Sequence, residues 1–152
     1  MNTEQITILV LLLLVTLLAV LLVLNRRRKR REEFVPMDDL EGHEFEFYCA
    51  DLLQGSGFHD VTVTRGSGDY GADILCEKDG VTYAVQCKTY SSPIGVFAVQ
   101  QAAAGRDYYD RMVGAVMTNQ YYTKNAETAA KKLKILLWDR SDIERMEENA
   151  GR

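Results

Sequence analysis

The sequence predicts an α/β domain, helices packed on a hairpin-bearing sheet, preceded by one N-terminal transmembrane helix. Three observations carry this. A 19-residue uncharged run sits directly before six consecutive cations. Two β-rich runs flank an Asp-Gly pair, a strong signal for a tight hairpin turn. Beyond residue 37, stretches of helical period alternate with stretches of strand period. The 152 residues, 26% charged and 47% apolar with 11 Gly and 2 Pro, fit one globular domain plus an accessory segment. They exclude a collagen-like or disordered chain. Cysteines 49, 76 and 87 are odd in number and form no Cys-x-x-Cys pair, which excludes a disulfide scaffold and a zinc site of usual spacing. His43 and His59 stand apart from one another and from the cysteines.

The apolar run, Ile6–Leu24, has only Thr7 and Thr16 as polar residues. As a helix it is about 28 Å long, near the hydrocarbon thickness of about 30 Å. Arg26-Arg-Arg-Lys-Arg-Arg31 follows at once, whereas residues 1–5 hold Glu4 and no Lys or Arg. A cleaved signal peptide has the reverse polarity. The positive-inside rule therefore predicts residues 1–5 outside, 6–24 spanning a cell's inner membrane, and the remainder in the cytoplasm. Residues 25–37 read as a basic juxtamembrane segment and linker that meets anionic lipid at Arg26–Arg31, and 38–150 as the domain. Reduced cytoplasmic thiols agree with three unpaired cysteines. Six of the 18 cations and one of the 22 acids precede residue 32, so the chain beyond it carries about −9.

Within the domain, Asp38 is expected to cap a first helix, with Glu41 completing a capping box. Phe45, Tyr48, Cys49, Leu52 and Leu53 form its apolar stripe, and Gly55-Ser-Gly57 closes it. Val61 and Val63 alternate with threonines as a strand. Arg65-Gly-Ser-Gly-Asp-Tyr-Gly71 is a turn. Ala72–Glu77 and Val81–Lys88 form a hairpin through Asp79-Gly80. After Ser91-Ser-Pro93 come a helix over Val96–Tyr109, a buried strand over Met112–Thr118 and a helix over Thr123–Lys134. A strand over Ile135–Trp138 and a terminal helix, Asp142–Asn149 capped by Ser141, complete the order α-β-β-β-α-β-α-β-α.

The hairpin holds the chemistry. Gln86 and Lys88 lie two apart, so they share a face with Thr82 and Ala84, while Tyr83, Val85 and Cys87 face the other way. Asp73 begins the partner strand and is placed to meet them. A carboxylate, an amide oxygen and an ammonium at one sheet edge suit metal-assisted phosphodiester cleavage. An ordinary cross-strand Asp–Lys pair has the same spacing, and spacing alone does not separate the two.

The stretch Gly66–Gly95, GSGDYGADILCEKDGVTYAVQCKTYSSPIG, resembles the core of the Mrr-type restriction endonucleases, in the PD-(D/E)xK nuclease superfamily. The similarity includes the helix ending Leu-Leu-x-Gly-x-Gly-Phe and the VMTNQYYTKNA stretch (Val116–Ala126), and covers roughly residues 42–140. It implies a restriction-endonuclease-like mixed sheet and an Mg²⁺-dependent DNA endonuclease, for which Mn²⁺ fits as well. It implies Asp73 and Gln86 as metal ligands, Gln86 replacing the acid more usual in the fold, and Lys88 as the catalytic lysine. A helix glutamate also serves the family. Periodicity leaves Glu44 and Glu46 equivalent, and the resemblance favours Glu46.

Other residues stay open to two readings. Asp69 either caps its turn or adds an acid to the site. Gln100 either faces the site or lies on a helix surface. Tyr108-Tyr109 and Tyr121-Tyr122 read as packing and turn anchors, although such pairs can stack bases. Lys124, Lys131, Lys132 and Lys134 read as a solvated helix face. Cys49 and Cys87 read as core. The expected function is restriction of foreign or modified DNA from the membrane, with a homodimer for double-strand cuts. The charge of about −9 opposes tight DNA binding, which keeps a second class in view: a weak or inactive nuclease-fold module tethering DNA or protein.

Overall fold

The computed structural model describes residues 2, 5, 12–22, 36–65, 68 and 70–151. The chain divides into two compact units, Met1–Val35 and Pro36–Arg152. In the first, residues 12–22 are helical, with side chains such as Leu13 and Val15 exposed. Among the described residues no helix is long and apolar enough to cross a membrane. The span read over 6–24 extends past the described residues at both ends, and Arg26–Arg31 and Asp69 lie outside them.

The second unit opens with a 3-10 turn, Met37–Asp39, followed by α1 (Gly42–Gly55), β1 (His59–Val63), β2 (Ile74–Lys78), β3 (Val81–Lys88), α2 (Val96–Tyr108), β4 (Val113–Thr118), α3 (Lys124–Leu133), β5 (Ile135–Trp138) and α4 (Arg140–Ala150). The sheet order is β1-β2-β3-β4-β5. β1, β2 and β3 pair antiparallel, whereas β3, β4 and β5 pair parallel, so the sheet is mixed. Asp79 and Gly80 both adopt positive φ, 53° and 76°, as the two-residue turn between β2 and β3 requires.

Alternation along the strands builds a core on each face. Ile74, Cys76, Val85, Cys87, Ala115 and Met117 pack with Phe45, Cys49, Leu52 and Leu53 of α1 and Ile143 of α4. Val116 and Ile135 pack with Ala98, Val99 and Ala102 of α2 and Ala126 and Ala130 of α3. Burial pushes the Cys76 thiol up to about 12, which suits a core thiol. Tyr122 is a turn anchor: its hydroxyl donates toward the Val116 and Trp138 carbonyls at 2.9 and 3.2 Å.

Two helix starts differ from expectation. α1 begins at Gly42, and Glu41 is its N-cap, in a capping box with Glu44. Asp38 is instead drawn into a long-range pair with Arg140 and accepts from Asn119 Nδ2 at 2.9 Å. α4 is capped by Asp139, whose Oδ1 accepts from Ser141 N at 2.9 Å and Asp142 N at 3.2 Å. The helix therefore starts two residues earlier than Ser141 as cap would place it, with Ser141 inside its first turn. Thr123 caps α3 as a side-chain acceptor for Ala126 N, at 3.3 Å.

The Arg140 guanidinium, then the Asn119 amide, holds the Asp38 carboxyl below its ordinary 3.8. A depressed folded value means the pair's contribution is present in full above about pH 4 and is lost as pH falls through the folded value. With Asp38 half exposed, it is worth under about 1 kcal/mol. Urea midpoints of Arg140→Ala and the parent should differ slightly at neutral pH and converge in acid. Equal midpoints at every pH would show that the pair does nothing.

The close fit of α2 on the β1–β2 turn rests on two glycines. At Gly71, φ 95°, a Cβ would lie 2.2 Å from the Gln101 carbonyl oxygen; at Gly105 it would lie 2.5 Å from the Gly71 oxygen. Backbone meets backbone, so neither side can yield cheaply. Gly105→Ala gains about 1 kcal/mol of helix propensity. It should nevertheless destabilise by about 2 kcal/mol net through overpacking, measured as a lower urea midpoint; a raised midpoint would refute the contact.

Candidate active site

Asp73 immediately precedes β2, and its N–H donates to the Val85 carbonyl at 2.8 Å. This continues the register in which Ile74 faces Val85 and sets Asp73 opposite Gln86. Both are buried, 5% and 2% exposed. Gln86 Nε2 donates to Asp73 Oδ2, which also accepts from Cys87 N at 2.6 Å. Gln86 Oε1 is buried with no hydrogen-bond partner. A buried carbonyl-type oxygen left unsatisfied costs about 1–3 kcal/mol, so the site carries an unmet demand for a donor or a cation.

Lys88, two residues on, is half-buried and pairs in register with Thr118 of β4. The chain after it is held by Asn119, whose Oδ1 accepts from Tyr90 N at 3.0 Å. Buried Asn119 thus links the end of β3 to the Asp38–Arg140 pair. In the sequence Asn119 is marked only by its place in the VMTNQYYTKNA stretch, as an Asn that closes a buried strand.

α1 separates the two glutamates. Glu44 Oε2 accepts from Glu41 N at 3.1 Å, in the helix cap. Glu46 is 17% exposed and lies 2.7 Å from His43 Nδ1, a pairing one helical turn apart that the sequence spacing allowed. The Cys87 thiol is pushed well above its ordinary range by burial first, then by its hydrogen bond with Cys49 and the charges of Cys49, Asp73 and Glu46. Asp73 and Glu46 therefore act on one buried thiol, from the residue before β2 and from α1. Cys49 and Cys87 are core, not nucleophiles.

Gln100 is exposed on α2, while the neighbouring Gln101 has a buried Oε1 without a partner. Lys124, Lys131, Lys132 and Lys134 are exposed. Among the described residues, His59, Asp60 and Glu77 bring possible metal-binding atoms within 4.8 Å of one another. They lie on the exposed β1–β2 edge, with Glu77 about 13 Å along the strand from Asp73.

A mixed sheet with a carboxylate, an unsatisfied amide oxygen and a lysine at the head of its central hairpin defines a nuclease-fold α/β domain. The family model for the restriction endonuclease catalytic domain of Mrr type matches residues 37–146, and the chain belongs to that family. Two solved structures share the fold. One is titled as a protein of unknown function, AF1548, at 21% identity and a TM-score of 0.59, covering 70% of this chain and 65% of that one. The other is the DNA modification-dependent restriction endonuclease AspBHI, at 20% identity and 0.53, covering 71% and 31%. The chain thus spans less than two thirds of either. No curated protein matches it.

Proposed function

We propose that this chain is a divalent-metal-dependent DNA endonuclease that acts in restriction of foreign or modified DNA from the inner face of the cytoplasmic membrane. Family membership supports the nuclease. The observation that carries the chemistry is the orphaned Gln86 Oε1 beside the buried Asp73 carboxylate. Hard oxygen donors of this kind fit Mg²⁺, or Mn²⁺. Asp73 and Gln86 would hold the ion, with Glu46 as the further acid. When bound, such an ion supplies Lewis-acid polarisation of a phosphoryl oxygen and a more acidic water.

The chain's own residues do the rest. Asp73 Oδ2 is held in place by two donors, Gln86 Nε2 and Cys87 N. Lys88 projects from the same face as Gln86, where its ammonium orients the attacking water and offsets charge on the phosphate in the transition state. Double-strand cleavage calls for two such sites and hence a homodimer. The uncharged run 6–24 and Arg26–Arg31 support a membrane tether facing anionic lipid.

The test is plasmid nicking by the full-length protein in lipid vesicles, on methylated and unmethylated DNA, in Mg²⁺ and in EDTA. Metal-dependent nicking is expected. The charge of about −9 beyond residue 31 supports one alternative, a nuclease-fold binding module with weak or absent catalysis. DNA bound without cleavage in any metal would establish that alternative. Recovery of the protein in the alkali-washed membrane fraction checks the tether, and its release would remove it.

A further inference from the structure

Tyr70 and Tyr108 lie face to face, ring centroids 3.7 Å apart and planes 14° apart, with Tyr109 set edge-on to Tyr108 at 5.0 Å. The pair is at the surface: Tyr70 is 56% and Tyr108 54% exposed. Their side chains interact enough to raise the Tyr108 hydroxyl above its ordinary range. Phe97, 70% exposed, and Tyr108 fall eleven residues apart on α2, on one helix face with exposed Ala104 between them.

This pair is built rather than incidental. Tyr70 precedes Gly71, the residue seated against Gln101 without room for a Cβ, and Gly105 is seated against Gly71 in turn. The turn is thereby clamped to α2, and Tyr108 lies one helical turn beyond Gly105. Asp73 is three residues from Tyr70, at most about 10 Å along the chain. With about 3.4 Å of rise per nucleotide along a strand, the platform lies within about three nucleotides of a phosphate held at Asp73. Arg65, exposed at the other end of the same turn, adds a cation for the backbone. Even with Phe97 added, the Tyr70, Tyr108 and Phe97 rings expose roughly 360 Å², about half of what one partner of a standard protein interface buries, which argues against a second copy as the occupant.

We infer that the Tyr70–Tyr108 pair is a stacking platform for an unpaired nucleobase of DNA next to the cleavage site, a reading that rests on the proposed nuclease function. Bases inside a duplex have both faces covered, so the platform selects single-stranded or locally opened DNA near the scissile phosphate.

The experiment uses the full-length protein and a short single strand carrying one 2-aminopurine at successive positions, in EDTA so that binding is read without chemistry. Quenching at one position is expected, since an exposed aromatic face stacks the base. Tyr70→Leu and Tyr108→Leu, which keep apolar bulk, should lose the quenching and weaken binding about tenfold or more. Tyr108→Phe should keep both. No quenching by the parent protein, or quenching unchanged in the leucine variants, would overturn the platform. So would a fall in sedimentation coefficient in those variants with DNA binding intact, the mark of a self-interface. Metal-dependent cleavage without quenching defeats the platform alone; quenching without cleavage supports the platform and defeats the nuclease.

Discussion

Asp73→Asn is expected to lower DNA cleavage by about 10²–10³ and to destabilise the domain at the same time. Both effects come from one carboxylate. Asp73 Oδ2 accepts from Gln86 Nε2 and from the Cys87 N–H in a site 5% exposed. An asparagine there either turns its amide nitrogen toward those donors or offers one neutral acceptor in place of a charged one. A buried donor facing a donor costs about 1–3 kcal/mol. Under the proposed mechanism the loss of negative charge removes the strongest hard ligand the site offers a divalent ion, and electrostatic groups of this kind are worth about 10²–10³ in rate. Single-turnover plasmid nicking, normalised to the folded fraction from circular dichroism, checks it. A folded Asp73→Asn protein with a tenth or more of the parent rate would exclude Asp73 as the central ligand.

Lys88→Ala is expected to separate what Asp73→Asn combines. Cleavage should fall by about 10²–10⁴, while the urea midpoint stays near that of the parent. Lys88 is half-buried at the end of β3, and neighbouring Thr89 and Tyr90 are tied down independently, Tyr90 by Asn119. DNA affinity in EDTA should change little, because one phosphate contact among several is lost. Lys88→Arg should not restore the rate, since a planar guanidinium cannot occupy the place of a compact ammonium. Unaltered cleavage by Lys88→Ala would move the catalytic role elsewhere and strengthen the reading of Asp73 and Lys88 as an ordinary cross-strand pair.

Much of the site was legible because its rules are local. Gln86 and Lys88 share a face by the two-residue period of a strand, and Asp79-Gly80 closes its hairpin by the positive φ that those residue types tolerate. Together these bring the strand beginning at Asp73 back alongside Gln86. The helix stripe Phe45, Cys49, Leu52, Leu53 is legible for the same reason and is buried. Glu44 and Glu46 were equivalent by periodicity. What separates them is the cap bond taken by Glu44 and the half-buried position of Glu46 near Cys87.

The remainder needed partners distant in the chain. Asp38 has the residue type and spacing of a helix cap, yet Arg140, 102 residues later, competes for its carboxylate, and the helix starts at Gly42 instead. Tyr108 reads as a packing residue in a Tyr-Tyr pair, but a clamp of Gly71 on Gln101 sets Tyr70 over its ring. The parallel placement of β4 between β3 and β5 follows from helices crossing the sheet, and only in the folded domain is Gln86 Oε1 buried without a partner. The sequence by itself determined the hairpin, the shared face of Gln86 and Lys88, and the family. The tertiary structure decided which glutamate is taken up in the helix cap, which oxygen is left unsatisfied and where the tyrosines meet. Turn and period preferences act over a few residues, whereas burial and pairing depend on groups that folding alone brings together.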